Sequence, residues 1–263
     1  MTPQQHQEFP TGRAFLEMIQ KAADNASKTA DEEVLREAAG KRVPALLDKL
    51  GDMLSLLYRL ASCYWGCKGG DHQIEWLLGR VVNQAQSAHR LMRCGFYDEA
   101  LMLIRGIGET ANLFWLFERD HAQLAAWRAA DRKVRLDKFG PGQVRRALKD
   151  MGVPSPIDLG RYRALCEVGT HPVPAFKPGH YSSGGPPVLG MLFQFVGYAM
   201  CLNELGYAIT ICVPVMNLLD IDIALRNQVK DAAVALSRAL GAFTVLNYDE
   251  MIAKARAGER PEA

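Results

Sequence analysis

The chain has no surplus of charge of either sign: 31 lysines and arginines stand against 29 aspartates and glutamates, a formal net charge of +2. So even a balance gives no ground for nucleic-acid binding by bulk charge and leaves any such role to a local patch. The alternating apolar and polar runs of β-strands are also scarce, which excludes a sheet as the organising layer. No Gly-rich phosphate loop, dinucleotide glycine fingerprint or serine nucleophile elbow occurs, so those chemistries lack their usual signatures. The first thirteen residues are polar and contain no apolar h-region, which argues against a secretory signal. Residues 1–12 read as a disordered start and 253–263 as a charged tail. The six cysteines, Cys63, Cys67, Cys94, Cys166, Cys201 and Cys212, fall mostly within apolar helical patterns. They read as reduced thiols of a cytoplasmic protein.

Helical spacing is what the chain has in abundance. It predicts an all-α, antiparallel multi-helix bundle in one domain over residues 13–252, with a central apolar helix. That helix, Tyr97 to Phe117, is apolar on nearly every side through Leu101, Ile104, Ile107, Leu113, Phe114 and Leu116. Before it the pattern predicts helices over 13–26, over 31–65 with a bend near Pro44, and over 72–92. After it come a continuous amphipathic helix over 121–139 and shorter ones over 143–151 and 157–168. Two apolar helices over 188–212 and 215–240 close the bundle. The stretch from Pro172 to Pro187 holds too many prolines and glycines for regular structure, and loops of this length are often functional. The apolar run from Val188 to Leu219 has the length of a membrane span. However, Gln194, Asn203 and Glu204 interrupt it and Pro214 breaks its end, which favours a buried core helix and no membrane. The apolar surplus of the last two helices also predicts a homodimer.

Arg105 and Glu109 lie one turn apart on the apolar central helix, where an unpaired charge is costly. They read either as a structural ion pair or as an arginine offered to an anion and positioned by its own glutamate. A second candidate is the block Arg161-Tyr-Arg-Ala-Leu-Cys-Glu-Val-Gly-Thr-His171-Pro172. There the expected helix stops at Gly169 and sets His171 beyond its negative dipole end. With Arg163 and Glu167 on the preceding turns, such a histidine suits acid–base work on a phosphate ester, or it simply caps the helix. Lys177, His180 and Tyr181 on the following loop are candidates to cover it. The segment from Arg128 to Lys149 is the one basic stretch, and Arg128, Arg132, Arg135, Arg145 and Arg146 in it are candidate phosphate contacts. Two metal readings are set aside for want of ligands. Glu118-Arg-Asp-His121 has no second copy, and Cys63 and Cys67 with His72 lack a fourth ligand. No metal or cofactor is expected.

Several of these phrases together resemble a widespread group of bacterial all-helical proteins, over about residues 85–215. They are Gly95-Phe-Tyr-Asp-Glu-Ala100, Arg105-x-x-x-Glu109, Trp127 and Tyr162-x-x-Leu-Cys-Glu-x-Gly-Thr-His-Pro172. Through that group the chain is similar to the HEPN superfamily, many of whose members are metal-independent ribonucleases of toxin–antitoxin and phage-defence systems. The resemblance implies a dimer cleft in which an arginine and a histidine meet a phosphodiester. His171 would be the general base, Arg105 and Arg163 would hold the phosphate, and Glu109 and Glu167 would orient them. RNA would then be the substrate, and an antitoxin or other protein a partner. Seven residues separate Arg163 from His171 here, against four to six in HEPN nucleases, and alanine follows Arg163 where a polar residue is usual. Both departures point to the alternative, a non-catalytic helical module that binds an anionic small ligand or a protein.

Overall fold

A computed structural model of the chain describes residues 10–36, 42–62, 70–169 and 191–243. The described residues form an all-α bundle without strands. In chain order its helices are α1 (Gly12–Arg36), α2 (Arg42–Ala61), α3 (Gln73–Arg93), α4 (Tyr97–Arg119), α5 (His121–Ala129), α6 (Arg132–Phe139), α7 (Pro141–Asp150), α8 (Leu159–Gly169), α9 (Phe195–Thr210) and α10 (Ile223–Phe243). A 3-10 turn over Val213–Asn217 joins the last two.

The centre is α4, as its composition requires. It packs against α3, α5, α7, α8, α9 and the 3-10 turn, and Tyr97, Ile104, Ile107, Ala111, Phe114 and Phe117 along it are all buried. A helix apolar on most sides needs partners on most sides. Beside it, α9 is enclosed by α2, α3, α4 and α10. The apolar segment Phe195–Asn217 is long enough to cross a membrane, yet 67% of its most apolar stretch is buried inside the bundle. Its hydrophobicity is therefore used within the chain.

Several boundaries differ from the sequence expectation, among them the start of α9, which lies at Phe195 and not near 188 because Gln194 before it is extended. The first helix runs on to Arg36 because Ala23, Ala26, Ala30 and Val34 continue a buried stripe at three- and four-residue spacing. The second starts at Arg42 with Pro44 in its first turn, where the missing N–H is no loss, so the proline marks a beginning and not a bend. The helix expected over 121–139 is two helices, because Ala130 is extended and the Asp131 side chain accepts the Val134 N–H at 2.8 Å to start α6. Near the end, Pro214 sits in the 3-10 turn and the Asp222 carboxylate accepts the Leu225 N–H at 2.7 Å, so α10 begins eight residues later than expected.

Polar contacts on a largely apolar scaffold fix α8 in place. Asn112, 2% exposed on α4, clamps the backbone of Ile157 just before α8. Its Nδ2 donates to the Ile157 carbonyl at 3.0 Å, and the Ile157 N–H donates to its Oδ1 at 3.1 Å. The approach is so close that a Cβ at Gly108 would lie 2.5 Å from Ile157 Cγ1. From the other side, the Tyr207 hydroxyl donates to the Pro156 carbonyl at 2.7 Å. Arg161 makes a two-pronged pair with Glu204 of α9, both bonds 2.8 Å. The same guanidinium stacks 3.6 Å from the Tyr207 ring.

Candidate functional site

Once α8 is fixed, its inward side chains meet α4 and α7. Tyr162 and Cys166, four residues apart and so on one face, turn toward Arg105. The Arg105 Nη1 donates to Cys166 Sγ at 3.3 Å, and its guanidinium lies 5.6 Å from the Tyr162 ring centre. Arg145 of α7 reaches the same ring, with its guanidinium carbon 4.2 Å from the centre. Arg105 Nε stands 3.3 Å from Glu109 Oε1, with the two side chains 20% and 26% exposed. This is a half-buried ion pair at the edge of the core and not a sealed one.

The electrostatics lean positive. Burial pushes the Glu109 carboxyl above the usual carboxylate range, against the pull of Arg105, Arg145 and Arg80 and a hydrogen bond from Tyr162. Burial also holds the Tyr162 phenol above its ordinary value, aided by Cys166 and by the Glu109 charge. Three guanidiniums thus act on one carboxylate, a formal excess of three minus one, or +2. Arg145 Nη1 is buried and has no hydrogen-bond partner among the described residues, and neither has Glu109 Oε1. Buried donors of a cation are normally satisfied, so an orphan beside a positive cluster is suited to an incoming acceptor. Two guanidiniums near one aromatic ring are groups of the kind that bind a tetrahedral anion such as a phosphate diester.

The sequence candidates separate in space. Arg105, Glu109 and Arg145 come together. Arg163 and Glu167 lie on the exposed face of α8, while Arg161, in the first turn of the same helix, is held by Glu204. His171, Lys177, His180 and Tyr181 lie outside the described residues, as do Cys63 and Cys67. Within the basic stretch the local contacts differ. Arg128 pairs with Asp71 at 3.1 Å, Arg135 donates to the Asp131 carbonyl of its own helix at 3.4 Å, and Arg132 and Arg146 are exposed. Glu118 of the rejected metal motif accepts from Asn217 at 3.2 Å, a tie between α4 and the 3-10 turn. The residues that sequence reasoning left without a role are Tyr162, Cys166 and Arg80. The four-residue step from Tyr162 to Cys166 was the available signal, and Arg80 carried none.

Comparison with models of known families, with curated proteins and with solved structures returned no match.

Proposed function

We propose that this chain is a HEPN-like, RNA-associated protein of the cytoplasm, in which Arg105 and Arg145 hold a backbone phosphate over Tyr162 and Glu109 limits how firmly it is held. The observation that carries this reading is the pair of guanidiniums converging on one ring, one of them with a buried donor lacking a partner. Phosphate contacts of this kind fix the position of a strand without reading its sequence. Arg80 adds positive potential from α3. The near-neutral charge of the whole chain does not oppose it, since the positive excess is local.

A second reading, metal-independent cleavage, is favoured by one specific feature. The helix that supplies Tyr162 and Cys166 ends at Gly169, two residues before His171. A histidine there would serve as base toward a ribose hydroxyl, next to a phosphate neutralised by arginine. In this reading the chain works as a homodimer in a toxin or phage-defence setting, restrained by a partner protein.

One experiment addresses both readings. Purified protein and its His171→Ala variant are incubated with end-labelled single-stranded RNA in chelator, and retention and fragmentation are followed together. Retention of intact RNA by both supports the binding reading. Fragments from the wild type alone add the nuclease. Absence of both retention and fragments contradicts the proposal and directs the search to a small anion or a protein.

A further inference from the structure

On the α3 side of the arginine cluster an open groove of about 620 Å³ runs between α3, Ala61 of α2 and Leu103 of α4. Three of its lining residues, Trp76, Arg80 and Gln84, recur every four positions and so share one face of α3. Trp76 is 68% exposed, the most exposed large aromatic among the described residues. An indole left in water at a groove rim marks a contact surface more often than a scattered surface leucine does. Gln84 lies against Gly106, where a Cβ would stand 2.7 Å from its Nε2. Its Oε1 is buried without a hydrogen-bond partner among the described residues. Arg80 lies between them and makes no ion pair among the described residues, yet it is near enough to Glu109 to draw its carboxyl downward. Through Leu103 and Gly106 the groove borders the turn of α4 that carries Arg105.

We infer that this groove is a nucleobase subsite. It rests on the RNA reading above and adds to it where a base sits: stacked on Trp76, with its phosphate on Arg80 and its hydrogen-bonding edge toward Gln84 and Asn83. The three elements follow from ligand chemistry. Every base has a π-face that an exposed indole can take. An amide with an unused oxygen can accept from a base N–H after rotation of its terminal group. A guanidinium one turn along suits the adjoining phosphate. The groove and the arginine cluster would then hold successive parts of one strand.

The test compares a fluorescently labelled single-stranded RNA with a ribose–phosphate strand of equal length lacking bases, using the full chain, Trp76→Ala and Trp76→Phe. Trp76 is exposed, and unchanged thermal unfolding checks that the variants fold. Trp76→Ala is expected to weaken RNA binding about ten-fold, in line with one lost base–aromatic stack. Affinity for the abasic strand should stay unchanged, and Trp76→Phe should recover most of the loss. If the wild type binds both strands and Trp76→Ala binds RNA as tightly as it does, the subsite is overturned while the phosphate site stands. Equal loss on both strands also overturns it, because the effect is then not on a base. If the wild type binds neither strand, the RNA reading falls and this inference with it. A Trp76-dependent complex with a protein in that case would reassign the groove as a docking face.

Discussion

At the residue scale the site is governed by one carboxylate among three guanidiniums. Because burial raises the folded-state value of Glu109, the folded chain holds that proton to higher pH than the unfolded chain does. The stabilisation linked to it is complete below the ordinary carboxylate range and is lost as pH rises through the folded value. At neutral pH the ionised side chain is therefore a net cost to the fold. Glu109→Gln should unfold at a higher temperature than the wild type at pH 7.5, and the advantage should vanish below about pH 4, where both side chains are neutral. The same change removes a negative charge next to the phosphate that the proposal seats there. RNA affinity should rise about five-fold at pH 7.5, near 1 kcal/mol for a charge a few ångströms away in a wet site. Thermal melts and titrations at the two pH values check both effects. A variant less stable at every pH would mean that the Arg105–Glu109 attraction outweighs burial.

At the element scale α8 determines whether the site exists. It is a short helix that buries Leu165 and Cys166, and the Asn112 clamp, the Arg161–Glu204 pair and the Tyr207 bond to Pro156 fix its position. Asn112→Ala strands both backbone groups of Ile157 in a buried place. It should cost about 2–4 kcal/mol in denaturant unfolding, two lost hydrogen bonds with their partners unsatisfied. It should also weaken RNA binding without touching the ligand, by releasing Tyr162. A stability loss with undiminished affinity would show that Tyr162 is held by other means. This clamp was not legible in the sequence, where one asparagine on an apolar helix reads as a tolerated polar residue. The face of α8 was equally hidden. Arg161 and Arg163 look interchangeable in a short amphipathic segment, and only the position of Glu204, forty-three residues away, decides that Arg161 turns inward. Long, strongly periodic elements fared better. The limits of α3 and α4 were legible to within one or two residues because their apolar positions repeat over five turns or more. The breaks at Asp131 and Asp222 depend on single capping residues, which a periodic pattern passes over.

At the scale of the whole molecule, the apolar excess of the last helices was the reason to expect a homodimer, and much of that excess is spent internally, with α9 enclosed by four helices. Exposed Ile223 and Val234 on α10 are what remains there for a second copy. The nuclease reading needs that copy, whereas the binding reading does not. Sedimentation should therefore give twice the chain mass of 29.1 kDa if cleavage is observed. A cleaving species that sediments as a monomer would contradict the two-protomer cleft.

The most direct test of the arginine site is the salt dependence of RNA affinity for the wild type and for Arg145→Ala. Each phosphate held by a cation steepens the fall of log affinity with log salt, by about 0.7 for a single strand. Loss of Arg145 should lower affinity and reduce that slope by about this amount. Equal slopes and affinities for the two proteins would contradict a phosphate seated between Arg145 and Arg105.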